Sequence, residues 1–217
     1  MPNVVIVDSG SANLGSISKA LEKAAVTATI SDNPAVITAA DGIVFPGVGA
    51  FEHAMKLLRE KELPPALLKV IAAGKPFLGI CLGMQLLFSA SEECGRPQGP
   101  LPGGLDAIPG QVKRFPAGLP VPHVGWNRVA PRYPHPLFSG LPDDSYFYFT
   151  HSFYVQPADP SHSLAQTEYG RLFTSAASRN NLLGVQFHPE KSGPAGLRLL
   201  SNFGKIIADP TLLGDLR

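Results

Sequence analysis

The chain has 217 residues, with 18 lysines and arginines against 17 acidic residues, a formal charge of +1 and only 16% charged residues. That length buries a sizeable core without disulfide or metal staples, the lack of a basic excess argues against nucleic acid or an anionic membrane as main partner, and two cysteines do not make a disulfide scaffold. At 44% hydrophobic, with 22 glycines and 22 prolines, the composition is globular rather than disordered.

The first apolar run, residues 3–8, reads as a strand buried on both faces of a parallel sheet. No signal peptide precedes it, and the longest apolar stretch, 76–88, is too short and interrupted for a membrane span, so a cytoplasmic location is expected. Asn13 caps a helix with Leu14, Ile17, Leu21 and Ala24 or Ala25 on one face. Strands follow at 27–30 and 42–45, then a loop at 46–49, helices at 51–61 and 64–73, a buried strand at 76–80 and a helix at 82–88. Such alternation implies right-handed crossovers and an open, mostly parallel sheet with helices on both faces. Between residues 95 and 142 there are 11 prolines and 8 glycines, which excludes long helices. Short β segments occupy 107–115, 123–129, 146–155, 163–168, 173–178 and 182–187, and the turn signals between several of them predict antiparallel pairs. Gly193-Pro194 opens a last helix with Leu197, Leu200, Phe203 and Ile207 at helical spacing. No flexible polar linker divides the chain, so 1–217 reads as one α/β domain whose second half is an antiparallel β extension of the first sheet.

Two segments carry the chemistry. In Gly79-Ile80-Cys81-Leu82-Gly83 a buried strand ends and a helix begins, with glycines two residues either side of the cysteine, the spacing of a nucleophile elbow. A thiol there meets backbone N–H groups and a helix dipole that favour thiolate, and the Leu82 N–H can hold an oxyanion. Most free cysteines are simply small buried hydrophobes, which is the competing reading of Cys81. In Gln186-Phe187-His188-Pro189-Glu190, the proline favours an extended His188, residues two apart share a side, and Glu190 can orient the imidazole as a general base for Cys81. A histidine near a glutamate is more often a surface pair. Both segments lie at the C-terminal ends of buried strands, where open α/β sheets place their sites, and the conjunction favours catalysis.

The elbow and the triplet resemble the triad of class I glutamine amidotransferases. Pro46-Gly47-Val48-Gly49, Val121-Pro122-His123-Val124-Gly125-Trp126-Asn127, Thr150-His151-Ser152-Phe153 and Lys191-Ser192-Gly193 are similar to segments of one branch, the glutaminase subunits of imidazole glycerol phosphate synthases. The likeness runs from Asp8 to about Ile207. It implies the flavodoxin-like glutaminase fold and hydrolysis of L-glutamine through a Cys81, His188, Glu190 triad and a thioester. It further implies an oxyanion hole of the Leu82 and Val48 N–H groups, on a loop mispositioned until a partner binds its own substrate. Substrate contacts are implied at Gly47, Gly49, Gln85, the backbone of His151, Ser152 and Phe153, and, at the α-amino group, Glu93. The ammonia is implied to pass to a cyclase that is a (β/α)8 barrel on a separate chain in a heterodimer, which makes imidazole glycerol phosphate and an aminoimidazole carboxamide ribonucleotide in histidine biosynthesis.

Trp126, the single tryptophan, and Tyr148 are candidates for that interface because large amphipathic rings are favoured there, although Trp126 reads almost as well as core. No cofactor is expected; the six histidines show no ligand spacing and Cys81 and Cys94 lie 13 residues apart, so no metal site is expected either. The branch usually reads Asp-Tyr-Gly-x-Gly-Asn-Leu where this chain has Asp8-Ser9-Gly10-Ser11-Ala12-Asn13-Leu14, a departure expected to alter contacts of that loop but not the chemistry. The rival readings are a glutaminase serving another ammonia-using synthetase, a catalytically silent binding subunit of the same fold, and a cysteine peptidase on a related fold.

Overall fold

The computed structural model describes residues 2–93 and 100–214, and Cys94 lies outside them. Strands β1 (Val4–Val7), β2 (Ala28–Ser31), β3 (Gly42–Gly47) and β4 (Phe77–Cys81) alternate with α1 (Leu14–Lys23), α2 (Pro34–Ala39), and the pair α3 (Phe51–Glu60) and α4 (Leu63–Ala72). A single helical turn, α5 (Leu82–Gln85), leaves the end of β4. There follow β5 (Phe88–Ser91), β6 (Ile108–Arg114), β7 (His123–Arg128), β8 (Ala130–Pro131), β9 (Tyr146–His151), β10 (Phe153–Pro157), β11 (Ser163–Glu168), β12 (Leu172–Arg179), β13 (Leu182–Val185) and finally α6 (Gly193–Ala208).

The main sheet runs β2-β1-β3-β4-β13-β12-β10-β6-β5, with β11 and β8 added beside β12. From β2 through β13 neighbours are parallel, whereas β13, β12, β10 and β6 pair antiparallel in turn, so the sheet changes character at β13. β7 and β9 form a separate two-stranded sheet. The central parallel strands are buried on both faces, and alternate side chains enter different cores. Val4 and Ile6 meet α1 and α6 through Ile17, Leu21, Leu199 and Phe203. Val5 and Val7 share the opposite core with Ile37, Leu58 and Leu67 of α2, α3 and α4. Asn13 caps α1, its side chain accepting from the Ser16 N–H at 3.2 Å.

Four local expectations change. α2 is a helix where none is expected; Asn33 caps it and Pro34 starts it, but only Ile37 is buried, so it shows no apolar stripe. β3 continues through Pro46 and Gly47, which pair with Ile80 and Cys81 instead of forming a loop. The expected helix 82–88 stops at Gln85, and Phe88 begins β5. All of Leu82, Met84, Leu86, Leu87 and Phe88 are buried, so the run has no polar face by which a helix would reveal its length. Finally, 146–155 is two strands in two sheets, because the chain turns at Ser152.

Candidate active site

Adjacent parallel strands deliver the chemistry to one end of the sheet. Val185 of β13 pairs with Ile80 of β4, so the residues after Val185 run beside Cys81, while Gly47 of β3 pairs with Cys81 on the other side. Cys81 adopts φ 55°, ψ −113°, a conformation that side chains rarely take and that turns the chain from strand to helix in one residue. Small neighbours make the turn fit. A Cβ on Gly79 would stand 2.8 Å from the Met84 backbone, and one on Gly83 would stand 1.8 Å from the Phe45 carbonyl oxygen. The elbow is thus packed flat against β3.

His188 is extended, at φ −101° and ψ 95°, and a 3-10 turn, Pro189–Lys191, brings Glu190 back to its ring. The partnership expected from an extended i, i+2 relation is therefore made by a turn. Nδ1 lies 2.7 Å from Glu190 Oε1, and both side chains are almost wholly buried. An ionised carboxylate only accepts, so the Nδ1 proton points at Glu190 and Nε2 is the atom free to exchange protons. Nε2 is buried and makes no hydrogen bond. Burial works against protonating the ring, but the charge of Cys81 close by and the hydrogen bond and charge of Glu190 outweigh it and push His188 up to about 10 from an ordinary 6.5.

A raised imidazole means that the folded state keeps a proton the unfolded chain gives up above about 6.5. This contribution to stability is fully present below about pH 6.5 and is lost as pH rises toward about 10. Glu190→Gln is expected to lower the His188 titration midpoint measured by NMR and to flatten the fall in stability seen in urea titrations across that window. An unchanged midpoint would show that Glu190 does not hold the proton.

A pocket of about 340 Å³ opens over the elbow. Of the residues expected at the site, Cys81, His188, Val48, Leu82, Gly49, Gln85, Glu93, His151, Ser152 and Phe153 line it, together with Pro122 and Thr150, which the sequence did not single out as contacts. Glu190 lies behind His188. A larger hollow, about 580 Å³ around Arg132, His135 and Asp143, holds none of the expected residues. Gly47 is not among the residues lining the pocket; it is buried against Leu82 and Gly83, where a Cβ would stand 3.0 Å from the Gly83 nitrogen. Among the described residues no group of three His, Cys, Asp or Glu side chains is placed to hold a metal ion.

Three contacts refine the expected roles. The Val48 N–H donates to the Ser11 carbonyl at 2.7 Å, so in this conformation it is committed to the 8–14 loop and not to an oxyanion. The loop makes this contact through a backbone carbonyl, which any residue at position 11 would supply. Gln85 donates through Nε2 to the Phe153 carbonyl at 3.1 Å and to Gln186 Oε1 at 3.0 Å, which leaves its own Oε1 as acceptor for a ligand N–H. Glu93 accepts from the Phe51 N–H at 2.6 Å, at the start of α3 where Ala50 offers no side-chain cap, and burial pushes its carboxyl up.

Two further residues lie within the quoted motifs but carry no role in the sequence reading. Gln186, fully buried, donates from Nε2 to Cys81 Sγ at 3.6 Å. Ser192 ties the histidine to β9, its hydroxyl donating to the His188 carbonyl at 2.6 Å and accepting from the Tyr148 N–H at 3.0 Å. Trp126 is 56% exposed and contacts Tyr148 edge to face, so it is not core. Val124, Trp126, Tyr146 and Tyr148 alternate outward on the β7–β9 ladder, while His123, Phe147, Phe149 and His151 point inward.

Comparison with known proteins converges on one family. The family model for glutamine amidotransferase class-I matches residues 5–207. The chain is 49% identical over 209 residues to imidazole glycerol phosphate synthase subunit HisH of Symbiobacterium thermophilum, covering 96% of each chain. It is 49% identical over 206 residues to the subunit of the same name from Methanosarcina mazei, covering 94% of this chain and 98% of that one. A solved structure of a putative GMP synthase subunit from Thermoplasma acidophilum is similar with a TM-score of 0.71 over 97% of this chain and 96% of that one; at 18% identity, it speaks for the fold alone.

Proposed function

The chain belongs to the class-I glutamine amidotransferase family and is the glutamine amidotransferase of an imidazole glycerol phosphate synthase in histidine biosynthesis, and from that premise we propose that Cys81, His188 and Glu190 hydrolyse L-glutamine and that the ammonia passes to a cyclase on a separate chain. The observation that carries the residue assignment is the strained Cys81 elbow facing the same pocket as a histidine whose other nitrogen is held by a buried carboxylate. In the first half-reaction the Cys81 thiolate attacks the side-chain carboxamide carbon, forming the C–S bond. The protonated His188 gives its Nε2 proton to the departing nitrogen, and the C–N bond breaks to leave ammonia and a thioester. Water, deprotonated by His188, then adds to the thioester and releases glutamate and the thiolate. In this reading Gln85 Oε1 accepts from the substrate's amide N–H, the 151–153 backbone holds its carboxylate, and Glu93, which caps α3, pairs with its α-amino group.

The oxyanion needs two donors. Leu82, first residue of α5, contributes one of the N–H groups that a helix start leaves unpaired. Val48 contributes the other only after its bond to Ser11 opens, by a turn of the 47–48 peptide plane about ψ of Gly47 and φ of Val48, with glycine on one side of that plane. One such donor is worth about 10²–10³ in turnover. The isolated chain is therefore expected to hydrolyse glutamine slowly, and addition of the cyclase with a ligand in its active site to raise kcat by at least about 10²-fold. A glutaminase assay with the chain alone, with the cyclase, and with the liganded cyclase tests this. Stimulation by a different synthetase and not by the cyclase would overturn the partner assignment.

The partner is proposed to be a (β/α)8 barrel bound as a heterodimer on the outward face of β7 and β9. Aromatic Trp126, Tyr146 and Tyr148 stand there beside Val124, and Thr150 of the same strand reaches the pocket rim. One domain over 1–217 is part of the same reading, since the antiparallel strands continue the parallel sheet through β13. So is a cytoplasmic location; among the described residues no helix is long and apolar enough to cross a membrane.

A further inference from the structure

Protonated His188 favours the Cys81 thiolate by charge but makes no hydrogen bond to the sulfur, and the elbow itself adds little. Helix α5 is a single turn of four residues, so its dipole is far smaller than that of the longer helix expected from the sequence. The hydrogen-bond donor found at Cys81 Sγ is the side-chain amide of Gln186, at 3.6 Å.

Which end of that amide faces the sulfur follows from its neighbours. The Phe153 carbonyl can only accept, so the group of Gln85 that meets it at 3.1 Å is the amide nitrogen. The second hydrogen of the same nitrogen goes to Gln186, which must therefore present its oxygen, at 3.0 Å. With Oε1 so engaged, Gln186 Nε2 is turned to Cys81 and has only donors to offer. A thiolate accepts from it; a thiol gains much less, because hydrogen bonds to ionised groups are the stronger class. The amide is fully buried, which raises the cost of an unmet donor and the strength of a met one. Gln186 reaches this place through sheet register. It follows Val185, the partner of Ile80, so it lies alongside the residue after Ile80, which is the nucleophile.

We propose that Gln186 is the donor that stabilises the Cys81 thiolate, its amide locked in the donating orientation by Gln85 and the Phe153 carbonyl. This rests on Cys81 being the nucleophile and adds a group that touches the reacting sulfur. It also joins two functions of Gln85, which lines the pocket while its amide nitrogen fixes the amide behind the nucleophile.

The test is the pH dependence of Cys81 alkylation by iodoacetamide in the full chain, with Cys94→Ser in every variant so that one thiol reacts. Gln186→Met removes the donor with little change of shape. It is expected to move the alkylation midpoint up by about one pH unit and to slow the reaction at pH 7 by about tenfold, with the alkaline plateau unchanged. Gln186→Glu, which keeps the shape and places an acceptor against the sulfur, is expected to move the midpoint at least as far. In the liganded complex both are expected to lower kcat more than they raise KM for glutamine. A folded variant with an unshifted midpoint would overturn the proposal, and if the methionine variant does not fold the glutamate variant decides by the same criterion. In the parent chain the Gln186 side-chain amide protons are expected to follow the Cys81 titration by NMR and to stop doing so in Cys81→Ala; an amide that never titrates would overturn the proposal with no Gln186 variant needed. Failure of the underlying reading looks different: Cys81→Ala would then retain glutamine turnover, whatever the alkylation midpoint does.

Discussion

Cys81→Ala is expected to abolish glutamine-dependent synthesis by the complex, a loss of about 10⁵–10⁶ in kcat as for other enzymes stripped of a nucleophile, while ammonia-dependent synthesis stays at its original rate. The substitution separates chemistry from architecture unusually well. Residue 81 sits at φ 55°, and alanine carries the same Cβ as cysteine, so the strain of the elbow is present in both and the fold is retained. The measurement is the rate of imidazole glycerol phosphate formation with glutamine or with an ammonium salt at alkaline pH. Retained glutamine use would exclude the thioester mechanism; loss of both activities would mean that the substitution had disturbed the complex rather than the nucleophile.

Gly83→Ala carries the largest expected cost in stability. Its Cβ would stand 1.8 Å from the Phe45 oxygen and 2.9 Å from the Phe45 carbonyl carbon, both backbone atoms of a central strand that is paired on either side. Relief requires α5 to lift away from β3, and the elbow with it, so we expect a loss of more than about 3 kcal/mol in urea unfolding, toward the upper end for a single substitution. Gly15→Ala is the control. That glycine lies in the exposed part of α1, where a Cβ meets nothing within 4 Å, and alanine there is expected to be neutral or to stabilise by about 0.5–1 kcal/mol. A Gly83→Ala chain as stable as the parent would show that the elbow is not pinned to β3.

What the residues disclosed in advance was local. The parallel strands were legible because burial on both faces writes an unbroken apolar run, as at Val4–Val7 and Phe77–Cys81. His188 and Glu190 were legible because they are two residues apart, and Cys81 because glycines flank it. α2 was missed although its Asn33-Pro34 start is a strong helix signal, since six residues with one buried side chain show no period. The break at Ser152 was invisible for the opposite reason. Phe147, Phe149 and His151 alternate inward in one sheet and Tyr154 and Val155 are buried in the next, so the apolar pattern runs on while the hydrogen bonding changes partners. Gln186 lies within the stretch that drew attention to His188, yet its task depends on which strand lies beside β13. The Val48 bond to Ser11 joins segments far apart in the chain, and no local pattern announces it.

The turn at Ser152 has a geometric consequence. Thr150 and His151 belong to the two-stranded sheet and Phe153 to the large one, so the lining of the proposed glutamine pocket is shared between two sheets, with Cys81 fixed to the large sheet and the exposed aromatic strip to the small one. The lining is consequently only as fixed as the packing of the small sheet on the large one, and the small sheet is the one that carries the exposed aromatic side chains.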